Sequence, residues 1–573
     1  MSDHFRLRTG KRARVLTSQK VDTHVRVIHA IALFAVFSAT FAFGIFLFRY
    51  PDIFIKPTST PTYGGRRELK ETATQDKYGG WKEAKGVAKG YFSIQTTNGK
   101  DTFVTPNGNA FFMMAVNKMH DAFIDDEAFK EKYNSSATNF AIDAANFIHS
   151  VGFNTVGNQS NHRALRNRKV LALPYVVQLE FLKPESAIRT EPEDYPDPWS
   201  TEYQEFAQSV VSNAERTYKD DPYLVAFEPT NEANFNLRQW DGASNPKARW
   251  WKFLISADGE TPAKQHWVEL MEDRYDSDIE ELNNVYDSDL EDFDDLYTIE
   301  LGLFGKCEII EEGEEDDCNR QYADVADYEY DIAGQFHKVN YELLKEVFPN
   351  TIVTGDRQVQ GIYEEDYYND VKPYIDVVAQ NWYHTVEQGA PPASEIDEIT
   401  SLAEAPLLIT EHSYLEEPCN SDDNGGVYPG TPAGDQGARA TAHFDYRNPI
   451  LEHPKVLGLG WHQLDDPHSD NACGYTNFGL RSYQAEPYEV MIQKGVETWK
   501  SYNELRWDIE PTPLVSRGFN SPVNPVSGGV QGGFRPTTNT TSGLKLPNAT
   551  GTAVIEIPTR PQLQAFFAAV GEF

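Results

Sequence analysis

Short apolar runs separated by amphipathic stretches give the chain its first expected shape. Eight such runs, at 111–116, 154–156, 174–179, 224–227, 351–354, 377–380, 407–410 and 456–460, read as buried strands. Helical spacing fills the intervals, as in "TEYQEFAQSVVSNAERTY" at 201–218 and "IAGQFHKVNYELLKEVF" at 332–348. A strand–helix unit repeated eight times predicts a parallel sheet, and eight such strands close into an α/β fold, the (β/α)8 TIM barrel. A doubly wound open sheet is the competing architecture, but no Gly-rich phosphate loop follows the first strand. Ahead of the barrel, "GYFSIQTTNGKDTFVTPNGNAFFMMAVN" alternates apolar and polar positions around two Asn-Gly pairs, which predicts hairpins.

The segment 233–350 exceeds an ordinary βα connection. Its helical spacing predicts an insertion after strand 4, and charge colours it: 258–331 holds 27 acidic and 4 basic residues of a chain whose net charge is −36. Phosphate backbones would repel such a surface, so no nucleic-acid partner is expected. The near-repeat at Tyr275 and Tyr286, each followed by Asp-Ser-Asp, invites a calcium reading. The central Gly and terminal Glu of an EF-hand loop are missing, so a solvated helical insertion beside the barrel mouth is expected instead. No metal and no cofactor are expected.

The two ends differ in kind from the middle. Residues 27–48 are apolar and carry no Asp, Glu, Lys or Arg. At about 1.5 Å per residue they match a hydrocarbon core of about 30 Å. Arg6, Arg8, Lys11, Arg12, Arg14, Lys20 and Arg26 precede them, so a single-pass type II signal-anchor with a cytoplasmic tail at 1–26 is expected, in preference to a cleaved signal peptide. The catalytic domain would then be lumenal or extracellular. Residues 49–80 read as a Pro- and Gly-broken stem, 81–510 as the barrel domain, and 511–573 as a low-complexity tail. Asn134, Asn158, Asn539 and Asn548 each begin a glycosylation acceptor triplet. In that setting the four cysteines would form two disulfides, Cys307 with Cys318 and Cys419 with Cys473 in preference to the other pairings or to free thiols.

Candidate chemistry sits at strand ends. In (β/α)8 barrels reacting groups lie at the carboxyl ends of strands. The fourth run, "LVAFEPTNE", ends in Asn231 and Glu232, and the seventh, "LLITEH", ends in Glu411. Paired carboxylates across a barrel mouth suit glycoside cleavage, one protonating the leaving oxygen and the other attacking the sugar. Glu228, four residues before Glu232, should point deeper into the barrel.

An Asn-Glu pair ending strand 4 with a Glu ending strand 7 resembles the clan A retaining glycoside hydrolases. "GFNTVGNQS", "DDPYLVAFEPTNE", "WVELMEDRYDSDIEELNNVY" and "VLGLGWHQLDDP" resemble their β-agarase and β-galactosidase branch, over roughly 90–507. The resemblance implies Glu232 as general acid/base, Glu411 as nucleophile, Asn231 on the sugar 2-hydroxyl, Tyr383 as donor to the nucleophile and Trp461 as aromatic floor. Trp382, His384, His412, His462, Gln463 and Asp466 would line the cleft. The arginine this clan often carries near strand 2 has no evident counterpart, with Asn158 or His162 in that region, and the "WHQLDDP" stretch is one residue shorter than agarase-type versions. The implied activity is membrane-anchored hydrolysis of a β-linked poly- or oligosaccharide, agar-like galactans first. β-Glucanase, β-mannanase or transglycosylase action within the clan, and a catalytically silent glycan-binding membrane protein, are the alternatives.

Overall fold

The computed structural model describes residues 66–182, 195–233, 235, 250–302, 316–415, 433–466, 478–493 and 506–507. All belong to one compact unit, Gly64–Phe573. Eight parallel strands close a barrel in chain order: β1 (Met113–Val116), β2 (Thr155–Val156), β3 (Tyr175–Gln178), β4 (Leu224–Glu228), β5 (Ile352–Val359), β6 (Val377–Asn381), β7 (Leu407–His412) and β8 (Val456–Trp461), with β8 returning to β1. Every residue of β4, β6, β7 and β8 is buried, which is why these strands read as continuous apolar runs and not as alternations. Outside them lie amphipathic helices such as Thr201–Tyr218, where Ser200 caps the amino end and Tyr203, Ala207, Val211 and Ala214 form the buried stripe.

Two strand bounds differ from the sequence reading, with consequences for the site. The first run divides at Phe112: Asn109–Phe111 joins a four-stranded antiparallel sheet with Trp81–Lys85, Lys100–Val104 and Ser93–Thr97, and only Met113–Val116 enters the barrel. Asn98 and Gly99, at φ 52° and 77°, form the tight turn of a hairpin in that sheet, as the Asn-Gly pair predicts. β5 runs to Val359, five residues beyond the apolar run, and so carries Asp356 and Arg357 up to the mouth.

The insertion folds as helices Trp250–Ile255, Pro262–Arg274, Ile279–Tyr286 and the long Asp316–Val347. The near-repeat has a structural use: Tyr275 and Tyr286 both donate to Oδ2 of buried Asp324, at 2.7 and 2.9 Å, and Arg274 Nε donates to its Oδ1 at 2.7 Å. Among the described residues no carboxylate, His or Cys cluster could hold a metal ion. Trp250, Trp251 and Trp267 are buried packing residues.

Two expectations about the periphery change. Residues 66–80, read as the end of a stem, are built into the domain: Arg67–Glu68 pairs with Leu171–Ala172, and buried Asp76 accepts from Thr105 Oγ1 and Asn109 Nδ2. Asn158 is 1% exposed and faces the barrel interior, so it cannot carry a glycan in the folded domain. Asn134 is exposed at a helix end, whereas Asn539 and Asn548 lie outside the described residues. Cys318 is disulfide-bonded, and Cys307, Cys419 and Cys473 lie outside the described residues. The expected anchor, 27–48, lies outside them as well, and no helix among the described residues is long and apolar enough to cross a membrane.

Candidate active site

The carboxyl ends of β4 to β8 converge on one polar cluster at the barrel mouth. Alternation of side chains along a strand decides which residues join it. On β6 and its extension, Asn381 and Tyr383 face inward while Trp382 between them faces the outer helices. On β7 Glu411 faces inward and His412 outward. Past β8, His462 turns inward and Trp461 outward.

Tight backbone packing brings the strand ends together. Asn117, just after β1, donates from Nδ2 to Thr410 O at 2.8 Å, fixing β7 one residue before Glu411. Gly157 and Gly460 make room for it: a Cβ on Gly157 would lie 2.0 Å from Asn117 Oδ1, and one on Gly460 would lie 2.2 Å from Thr410 O. A side chain at Gly460 would collide with the backbone of the strand that carries Glu411, and one at Gly157 with Asn117 and the Val116 carbonyl.

Arg357 joins the two glutamates. Its guanidinium, fully buried, donates to Glu411 Oε1 at 2.5 Å, to Asn381 Oδ1 at 3.2 Å and to Gln178 Oε1 at 3.1 Å. Its backbone carbonyl accepts from Glu232 N at 3.1 Å, while the neighbouring Asp356 Oδ2 accepts from Ala233 N at 3.1 Å. These bonds hold Glu232 at φ 49°, a left-handed backbone that costs a non-glycine residue about 1 kcal/mol. Asn381 completes the bridge, donating from Nδ2 to Glu232 Oε1 at 2.8 Å and to Asn231 Oδ1 at 3.1 Å. A chain of hydrogen bonds therefore runs from Glu232 through Asn381 and Arg357 to Glu411.

The two carboxyl groups are pushed in opposite directions. Burial, then the charge of Glu411, raises Glu232 above the ordinary carboxylate range, against the opposing pull of Asn381 and Arg357. Its side chain keeps partial contact with solvent. Burial would also raise Glu411, but His462, Arg357 and Lys118 outweigh it and hold that group well below the ordinary range. His462 is itself lowered by burial, against the opposing pull of Glu411, whereas the Arg357 guanidinium stays charged. Tyr383 donates to Glu411 Oε2 at 2.6 Å, and His462 Nδ1 lies 3.5 Å from the same oxygen. One carboxyl is thus inclined to keep its proton and its neighbour to lose it, the division of labour that acid/base and nucleophilic chemistry requires.

Of the residues expected here, Glu232, Glu411, Asn231, Tyr383 and His462 meet in the cluster. The others do not. Trp461 is fully buried on the outer face, edge-on to His412 and His443, and donates to Phe478 O at 3.0 Å, so it offers no open floor for a sugar. His412 stacks on Tyr446 behind the barrel. Trp382 donates from Nε1 to His384 Nε2 at 3.0 Å. Gln463 donates to Asp465 O, and Asp466 accepts from Gly479 N and Tyr488 Oη, tying the 478–488 segment to the barrel. Each follows an inward residue by one step or lies past the strand end. Sequence reasoning missed Arg357 and Asn381. For Asn381 the signal was present, two positions before Tyr383; for Arg357 it was a charged pair directly continuing an apolar strand.

No family model matches the chain. β-Agarase B of Vibrio sp. (strain JT0107) is 23% identical to it, over 74% of this chain and 49% of the relative, so the chain spans about half the length of the curated relative it matches. Among solved structures, the agarase AgWH50C aligns with a TM-score of 0.60 at 17% identity, covering 76% of this chain and 68% of that one. An exo-β-agarase aligns with a TM-score of 0.60 at 17% identity, covering 78% and 69%. The (β/α)8 barrel that the sequence predicted is the fold of this chain, and it is shared with these agarase structures.

Proposed function

We propose that this chain is a retaining β-glycoside hydrolase that cleaves β-linked polysaccharide, with agar-like galactans as the first substrate class. The observation that carries this reading is the pair of oppositely perturbed carboxyls, Glu232 and Glu411, joined through Asn381 and Arg357 at the mouth of an agarase-type barrel.

Glu232 serves as acid. Asn381 Nδ2 donates to its Oε1, which assigns the transferable proton to Oε2. Glu411 serves as nucleophile: Arg357 on Oε1 and Tyr383 on Oε2 fix its plane and keep it ionised for attack on the anomeric carbon. The C–O bond to the leaving sugar breaks as Glu232 delivers its proton, and the glycone becomes esterified to Glu411. Glu232, now a carboxylate, takes a proton from water, which attacks the same carbon and frees Glu411. Asn231, held by Asn381, stands beside Glu232 for the 2-hydroxyl. In this proposal residues 27–48 anchor the enzyme and the barrel works on the lumenal or extracellular side.

The test is turnover of a panel of β-galactans, β-glucans and β-mannans, with Glu232→Gln and Glu411→Gln alongside and proton NMR of the first-formed anomer. Retained configuration on one class, lost in both variants, is the expected result. Inverted product, or full activity in either variant, overturns the assignment. Membrane fractionation of the full chain with and without 27–48 tests the anchor.

A further inference from the structure

Glu228 closes β4, is fully buried, and takes no part in the steps above. Its Oε2 lies 3.6 Å from Arg357 Nε. The amide of Asn158 is near enough to favour its charged form. Among the described residues, neither of its oxygens nor the Arg357 Nε has a partner in hydrogen-bond geometry. Burying a carboxylate so poorly bonded is unfavourable, and glutamine would fill the same space without the charge. The charge itself therefore has a use. Arg357 is one cation between two carboxylates, Glu411 at its terminal nitrogen and Glu228 at its Nε edge.

We propose that Glu228 is a positioning residue for the nucleophile: acting through Arg357, it limits how much of the guanidinium charge falls on Glu411 and becomes the guanidinium's partner anion while Glu411 is esterified. This rests on the assignment of Glu411 as nucleophile. The physical reason is differential stabilisation. A charge-assisted bond from Arg357 stabilises the Glu411 carboxylate before attack and is lost when that carboxylate becomes an ester. Glu232, newly ionised at this stage, is linked to Arg357 through Asn381, so without Glu228 the guanidinium would have no anion at its own edge. Glu228 supplies that anion from below, so the charge balance of the cluster survives the step.

The pH dependence follows from the groups around Glu228: Arg357 from β5, Asn158 from the end of β2 and Glu411 from β7, with Lys118, His462 and Glu232 further out. Burial raises Glu228 above the ordinary range, so on acidification it takes up its proton before Glu411 does. The rate of ester formation should fall at that point, and Glu228→Gln should already have lost what is lost there.

The experiment measures the rate at which 2,4-dinitrophenyl 2-deoxy-2-fluoro-β-galactoside labels Glu411, read by peptide mass spectrometry, together with thermal unfolding. Glu228→Gln should label about tenfold more slowly at neutral pH. It should also lack the parent's mid-acid inflection, keep or raise its melting temperature, and be partly rescued by Glu228→Asp. Equal labelling rates overturn the inference. So does slow labelling that comes with a lowered melting temperature, an unchanged pH profile and no rescue by aspartate, which is the mark of a packing role. Labelling of the parent at a residue other than Glu411 instead overturns the proposed function, and this inference with it.

Discussion

Replacing Arg357 by methionine removes the cation between Glu228 and Glu411 while keeping most of the buried volume. Breaking a buried ion pair from one side costs about 3–5 kcal/mol, because the remaining charge is left without compensation. Loss of the adjacent cation disfavours the charged form of Glu411, which should rise from its depressed position. The acid limb of kcat/KM should therefore move to higher pH. At neutral pH, loss of the charge-assisted bond to Glu411 and of the bonds to Asn381 and Gln178 should lower kcat/KM by about 10- to 100-fold. Stability gives an independent reading. Glu411 is depressed in the folded protein, so its contribution is complete above the unfolded carboxylate value of about 4.3 and is lost as pH falls through the folded value. The stability gap between parent and variant, measured by urea unfolding, should be widest near pH 7, narrow on acidification, and close only as pH falls through the depressed folded value of Glu411. An unshifted acid limb with kcat/KM within about threefold of the parent, or a gap independent of pH, would refute the reasoning.

Other substitutions separate the remaining roles. Glu232→Ala should lower turnover of polysaccharide by about 10²–10⁴-fold but affect aryl glycosides with good leaving groups far less, and azide should restore the second step; uniform loss across leaving groups would count against an acid role. Asn381→Ala removes a donor that favours the charged form of Glu232, so the alkaline limb should move to higher pH while kcat falls by about tenfold. A downward shift would reverse that assignment. Asp465→Asn breaks the paired bonds from Arg481, at 2.6 and 2.8 Å and fully buried. It should cost about 3 kcal/mol and lower the melting temperature by roughly 5 °C with kcat at 25 °C unchanged, as read by calorimetry and steady-state rates.

Eight apolar runs of strand length, spaced by helical stretches, were enough to specify a parallel barrel, because parallel strands buried on both faces must be apolar along their whole length. The strand-end glutamates were legible for the complementary reason: Glu411 ends an apolar run and Glu232 lies just past one, where a charge has no packing function. Tertiary structure decided which neighbours join them. Trp461, His412 and Trp382 stand one residue out of phase with the inward positions, so the pleat turns them towards the outer helices. Nearness in sequence had placed them in the cleft. The anionic near-repeat was visible as a pattern, but only the fold brings Tyr275 and Tyr286 to the same Asp324. Arg357 lies 125 positions from Glu232 and 54 from Glu411. Its backbone holds one and its guanidinium the other because β5 lies next to β4 and its side chain spans the closed barrel to β7, a proximity created by ring closure and by no local signal in the chain.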